Sequence, residues 1–263
     1  MTLILNDKMS NEEYHAHENI SSSDLKAVAS STLLHWKGKA RKESAAFDLG
    51  TAVHAMCLEP EKDLIVCGPE TRRGKAWSEA KEDAEKLNKL LLTASDYGLA
   101  CDMSEECFYH DMGAKLLNNK DMIAEGSFLV TCPETNLALK TRPDGFIPSA
   151  GILFDIKTCQ DASPRGFEKA VRAFRYDLQQ SFYRYCLELE GIKINNFIFM
   201  AVEKEKPHAV ACYELSNKYE KFARQEMMQT LRKIKRAQET DDFSTGWADL
   251  DVINIPPWLD GDI

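Results

Sequence analysis

The sequence predicts one α/β domain whose N-terminal portion is helical. Three observations carry that reading. Helix-forming composition and capping signals dominate roughly residues 20–118. Three short strand-like runs, set apart by turn signals, then fall between residues 123 and 158. After them come a long helical stretch, two more strand-like runs and a last helix, so that helices and strands share one chain without an obvious linker or internal repeat.

Taken in order, "NISSSDLKAVASSTLLHW" (19–36) reads as a serine-capped helix starting near Ser22 or Ser23. "FDLGTAVHAMCLEP" (47–60) reads as a second helix, stopped by Pro60. Residues 61–74 look irregular, "KAWSEAKEDAEKLNKLL" (75–91) is helical by composition, and residues 95–118 hold one or two more helices. "IAEGSFLVT", "LALKTRPDGFI" and "GILFDIKT" then read as an antiparallel meander, with "CPETN" and "PSAG" as its turns. Residues 163–191 read as one long helix, capped by Ser163, with Pro164 at its first position and Gly191 at its end. "NFIFMAV" and "HAVACYEL" are two strands joined by "EKEKP". A basic amphipathic helix occupies about 217–239, and the end "NIPPWLDGDI" reads as a surface-packed tail.

Composition narrows the function classes. A chain of 263 residues, 44% of them hydrophobic, can bury one large core or two modest ones. No apolar run is long enough to span a bilayer, and the start "MTLILNDKMSNEEY" is not a secretory signal. The eight cysteines are scattered without a C-x-x-C pair, which argues against a zinc or iron–sulfur site and against a disulfide framework. A cytoplasmic enzyme or binding domain is the expected class. The net charge of −9 argues against a protein that simply coats nucleic acid. Basic residues do cluster at "WKGKARK" (36–42), "RRGK" (72–75) and "RKIKR" (232–236), each of which reads on its own as a solvated helix end.

The run "GILFDIKTCQ" (151–160) is the most informative stretch. In an extended chain Ile152, Phe154 and Ile156 point one way, and Leu153, Asp155 and Lys157 the other. An interior-looking strand therefore carries a carboxylate and an ammonium, which must be paired or bound to something. Asp144 follows Pro143, with ten residues between it and Asp155, and a hairpin with "PSAG" at its tip brings the two aspartates side by side. Such carboxylates, with a neighbouring backbone carbonyl, are hard oxygen ligands suited to Mg²⁺ or Mn²⁺, and Glu125 on the first strand is a candidate third. A lysine beside them can hold or polarise a water, or stabilise charge in a transition state. The competing reading is a surface hairpin with a weak Asp155–Lys157 ion pair, against which the apolar flanks count. Gln179 and Tyr183, four apart, share a helix face, and His54 sits inside an apolar helix; alone, each reads as ordinary packing.

"RPDG" (142–145), "DIK" (155–157) and "QQSFY" (179–183) together resemble the PD-(D/E)XK nuclease core with a trailing Q-x-x-x-Y helix, in its RecB-like branch. "ISSSDLK", "FDLGTAVHAMCLEPE", "RRGKAW", "AEGSFLV", "KTRPDGF" and "YDLQQSFY" occur in the order of the RecE-like exonucleases, so the resemblance spans nearly the whole chain. It implies a restriction-endonuclease-like fold, a central mixed sheet flanked by helices. It divides the single domain 1–263 into a mainly helical part (1–120) carrying His54, a catalytic core (121–240) and a tail (241–263). It implies that Asp144, Asp155, His54 and the Ile156 carbonyl hold the metal, that Lys157 is the catalytic lysine, and that Glu125, Gln179 and Tyr183 complete the catalytic set. The residue before the lysine motif's x is Asp155 rather than the commoner glutamate, which shortens its reach. Only Cys186 and Cys212 follow the Q-x-x-x-Y segment, so no iron–sulfur cluster is expected. The implied activity is Mg²⁺-dependent exonuclease action on double-stranded DNA ends, Mn²⁺ substituting, that leaves 3′ tails. The implied assembly is a homo-oligomeric ring working with a RecT-like annealing protein, with Arg72, Arg73, Lys75 and Arg142 as expected DNA contacts. The rival readings are an endonuclease on the same core and a catalytically silent DNA-binding module.

Overall fold

A computed structural model describes residues 3–4, 9–38 and 45–254. Along the chain run β1 (Leu3–Ile4), α1 (Asn11–Ala16), α2 (Ser22–Ser30), α3 (Leu33–Lys37), α4 (Ala45–Leu58), β2 (Ile65–Cys67), α5 (Lys75–Lys86), β3 (Leu90–Leu92), α6 (Ala94–Tyr109) and α7 (Asp111–Leu117). There follow β4 (Ile123–Ala124), β5 (Ser127–Thr131), β6 (Ala138–Thr141), β7 (Gly145–Ile147), β8 (Ile152–Cys159), α8 (Pro164–Phe174), α9 (Tyr176–Leu189), β9 (Asn196–Glu203), β10 (Val210–Tyr213) and α10 (Asn217–Thr240).

The central sheet has five strands in the order β10-β9-β8-β7-β4, and β8 lies in its middle. It is mixed: β8 and β9 run parallel, while the other neighbours are antiparallel. A parallel pair needs a crossover, and α8 and α9 supply it. A second, antiparallel sheet has the order β1-β5-β6. One apolar layer joins α2, α8, α9 and α10 to this second sheet and to one face of the central sheet, through residues such as Leu153, Phe197 and Phe199. The other layer packs α4, α6 and α7 on the opposite face, against Phe154, Ile156 and Met200. Both faces of β8 are thus covered, so its two charges lie between a sheet and helices rather than on a surface hairpin.

Several expectations are corrected. The meander is two sheets, not one. Its first strand breaks at Glu125, which has a left-handed backbone (φ 47°), so β4 joins the central sheet and β5 the second one. Its second strand breaks between β6 and β7, around Arg142–Asp144, in the same way. The long helix is two helices. Arg175 adopts φ 53° and ends α8, its guanidinium held by the carboxylates of Asp177 and Glu226. The 19–36 helix also divides, because Ser31 leaves helical geometry (φ −145°, ψ −121°) before α3 begins. Residues 61–74 contain β2, which pairs with β3 in parallel. Helix caps fall close to the expected positions: Ser21 forms a capping box with Asp24 ahead of α2, and Ser163 caps α8 with Pro164 at its first position. Most of the expected tail lies outside the described residues.

Candidate active site

The sheet and its covering helices bring the singled-out side chains to one end of β8. Asp155 is 1% exposed and extends from the face covered by α9. Ile152, Phe154 and Ile156 face the α4 and α6 side. The Lys157 ammonium contacts Asp155 Oδ1, and the Gln179 amide Nε2 donates to Asp155 Oδ2. Lys157 Nζ also donates to Gln179 Oε1 at 3.3 Å and lies 4.8 Å from the centre of the Tyr176 ring. α9 presents Gln179 here because the Arg175 break re-aims the chain just ahead of it.

Asp144 arrives from the other side of β8. The Ile156 amide N–H donates to Asp144 Oδ2 at 2.6 Å, and His54 Nδ1 on α4 lies 3.3 Å from the same oxygen. The observed tie between Ile156 and Asp144 runs through the Ile156 N–H. The Glu125 N–H donates to the Asp144 carbonyl at 3.0 Å, so the left-handed turn that splits the strand sets Glu125 beside Asp144. Glu125 sits in this turn rather than within a strand.

The electrostatics follow from burial and close opposite charges. For Asp155, burial and the neighbouring Asp144 outweigh Lys157 and raise the carboxyl above the usual carboxylate range. For Asp144, burial works upward, but His54, Lys157 and the Ile156 N–H outweigh it and hold the group low. Burial of Lys157 works against its charge, but Asp155 and Asp144 prevail and raise it. Glu125 is raised by burial and then by Asp144. His54 is opposed by burial, yet Asp144 and Asp155 push it up to about 9. A histidine raised above its ordinary value of about 6.5 binds more protons folded than unfolded. Its stabilising contribution to the metal-free protein is therefore complete below pH ~6.5 and lost as pH rises through about 9. Urea unfolding from pH 6 to 10 is expected to show this loss, and His54→Gln to flatten it.

Tyr183, also expected in the catalytic set, does not join the Asp155–Lys157–Gln179 cluster. It is buried, its hydroxyl reaches Ser22, and burial raises its pKa. It lines a cleft of about 380 Å³ with Glu125, Asp144, Ser22, Lys140 and Arg142.

Two of the expected DNA contacts already have partners within the chain. Arg142 is 7% exposed; its guanidinium donates to Ser127 Oγ at 2.7 Å and to the Met9 carbonyl at 2.8 Å, and it lies 4.5 Å from the Tyr14 ring. It fastens the α1 segment to the second sheet. Arg72 is neutralised by Asp48 at 2.7 Å and Asp96 at 3.2 Å. Arg73 is exposed, and Lys75 is 89% exposed, with Glu79 at 3.3 Å. Lys39, Arg41 and Lys42 lie outside the described residues.

Two members of the cluster escaped sequence reasoning. Lys26 Nζ on α2 donates to Gln179 Oε1 at 2.7 Å, and Tyr176 lies beneath Lys26 and Lys157. The only signal for either was membership of the "ISSSDLK" and "YDLQQSFY" blocks, which gives no chemical role.

Among the described residues, no three His, Cys, Asp or Glu side chains converge closely enough to hold an ion as they stand. The donor chemistry nevertheless fits a divalent cation: carboxylates of Asp144, Asp155 and Glu125 and one imidazole lie around one strand end. Hard carboxylate oxygens with one imidazole are the donor types such a cation takes, and the buried Asp155 Oδ1 is held meanwhile by the Lys157 ammonium.

A mixed sheet with a D-x-K strand at its centre, an upstream Pro-Asp and a following glutamine-bearing helix is the PD-(D/E)XK core. Enzymes on that core generally depend on a divalent metal. The chain belongs to the family described as a PDDEXK-like domain of unknown function, DUF3799, whose model matches residues 19–249. Among solved structures it is similar to a protein of Eubacterium rectale, provisionally described as an exonuclease. That likeness has 15% identity and a TM-score of 0.65, and covers 96% of this chain and 97% of the other. A phage-related exonuclease from Haemophilus somnus 129PT is more distant, at 9% identity and a TM-score of 0.39, over 86% of this chain and 97% of the other. No curated protein matches the sequence. Among the described residues, no helix is long and apolar enough to cross a membrane.

Proposed function

We propose that the protein is a Mg²⁺-dependent deoxyribonuclease, Mn²⁺ substituting, that degrades one strand of duplex DNA from its 5′ end and leaves a 3′ single-stranded tail. The observation that carries this reading is the convergence of Asp144, Asp155, Lys157 and Gln179 on one strand end, with His54 against Asp144. The provisional description of the Eubacterium rectale protein as an exonuclease is in keeping with it.

Asp144 and Asp155 would hold the ion, with His54 and Glu125 completing its surroundings. When bound, the ion supplies Lewis-acid stabilisation of charge on the phosphate. Lys157 keeps its proton at Nζ, because Asp155 and Asp144 raise its pKa. It orients the attacking water by hydrogen bonding and offsets the charge that develops on the phosphate oxygens. Gln179 fixes Asp155 and Lys157 relative to each other. The Asp155 carboxyl is raised by burial and by Asp144, and a bound cation would act in the opposite direction.

The substrate is the end of a DNA duplex, reached in a homo-oligomeric ring whose inner surface carries the exposed Arg73 and Lys75. The net charge of −9 then belongs mainly to the outside. The 3′ tail would pass to a RecT-like annealing protein in the cytoplasm. Digestion of linear duplex labelled at the 5′ or the 3′ end, with Mg²⁺ and beside intact circles, tests the activity. Early release of 5′ label with circles spared is the expected result. Circles cut as fast as linear DNA would show an endonuclease instead. Light scattering reads the ring directly, and a monomer at working concentration would refute it.

A further inference from the structure

Gln179 holds its amide in one of two orientations that differ by 180° about its last torsion, and its neighbours decide which. As observed, Nε2 donates to Asp155 Oδ2 while Oε1 accepts from two ammoniums. A flipped amide would set its NH₂ against both cations and its oxygen against a carboxylate, replacing three attractive contacts by three repulsive ones. The two cations do not hold equally. Lys26 Nζ lies 2.7 Å from Oε1 and Lys157 Nζ 3.3 Å. The tighter grip on the amide oxygen is therefore that of Lys26.

Lys26 is also well placed to keep that grip. α2 is anchored by the buried Leu25 and Val28 and packs in the same apolar layer as α9. Two ammoniums on one oxygen repel each other, and the Tyr176 ring, 5.5 Å from Lys26 and 4.8 Å from Lys157, offsets that repulsion with its negative face.

We propose that Lys26 is a positioning residue of the catalytic centre: it fixes the Gln179 amide and, through it, the Asp155 carboxylate and the Lys157 ammonium. The N-terminal helical portion then contributes to the centre from both sides, Lys26 on α2 and His54 on α4. The kinetic consequence rests on the nuclease reading, whereas the contact itself does not, so two measurements separate them.

In the metal-free, ¹⁵N-labelled protein, the Gln179 side-chain NH₂ resonances are identified by their loss in Gln179→Met. They are expected to lie away from the solvent-exposed amide envelope, to return toward it in Lys26→Met and to stay displaced in Lys26→Arg. On end-labelled duplex, Lys26→Met is expected to lower kcat between about 10- and 100-fold with KM little changed. Combined with Gln179→Met it is expected to add no further loss, because both act through one amide. Gln179 resonances untouched by Lys26→Met would overturn the proposal. So would losses that multiply in the double variant, or a rise in KM that shrinks as salt is added, since Lys26 would then act on the DNA phosphate directly. If wild type cleaves no DNA while the resonances respond as expected, the contact stands and the nuclease reading falls.

Discussion

Lys157→Met is expected to leave a protein that still binds a divalent cation and DNA but cleaves about 10²–10⁴-fold more slowly. Methionine keeps the apolar stem in place, so the loss reports the ammonium. The variant also has a stability signature that an exposed lysine would lack. Asp155 is almost fully buried, and among the described residues Lys157 is the one cation paired with it. Removing one member of such a pair leaves a buried charge uncompensated, at a cost of about 3 kcal/mol. The carboxyl is already raised by burial and by Asp144, and without Lys157 it rises further. The folded state then binds more protons than the unfolded state, so the penalty is largest at neutral and alkaline pH and shrinks as pH falls. Urea unfolding of wild type and variant at pH 5 and 8 checks this. An equal penalty at both pH values, or full cleavage activity, would remove Lys157 from the role given to it.

Gly145→Ala is expected to be the most damaging single-methyl change beside the site. Gly145 follows Asp144, opens β7 and pairs with Phe154 across the ladder. An added Cβ would stand 2.1 Å from Cε1 and Cζ of the Phe154 ring, which is completely buried. The ring is packed within the α4 and α6 layer, so the ring or the strands must shift. Overpacking of this kind costs about 3 kcal/mol or more, which in a domain of this size lowers Tm by roughly 6–12 °C. Phe154→Leu in the same chain is expected to recover part of the loss, making the pair less than additive. A Gly145→Ala protein that melts with wild type would show that β7 and β8 are not this close.

The chemistry of the centre was more legible than its geometry. A D-x-K triplet in an alternating apolar strand, with Pro-Asp a hairpin away, was enough to nominate Asp144, Asp155 and Lys157. The structure brings all three to one strand end, with Gln179. The breaks were not legible. Glu125 and Arg175 adopt left-handed backbone without being glycine, held by contacts with residues far away in sequence. No local propensity announces that, so two strands looked continuous and two helices looked like one. Which face of β8 carries the long helix was also hidden, because alternation separates the faces of a strand without saying what covers each. The partners of Arg72 and Arg142 were hidden for a related reason: sequence shows a charge, and only the fold shows the carboxylates and carbonyls beside it.

The placement of β8 between β7 and β9 has a consequence for the chain during synthesis. The central D-x-K strand is buried between a neighbour that precedes it and one that begins at Asn196, 37 residues beyond its end at Cys159. The parallel pairing with β9 closes only after α8 and α9 have been made, and α9 itself carries Gln179. Contacts of such long range form late and pay their loop-closure entropy first. A nascent chain therefore has its aspartates and lysine long before it has a centre, which closes only once β9 has been made.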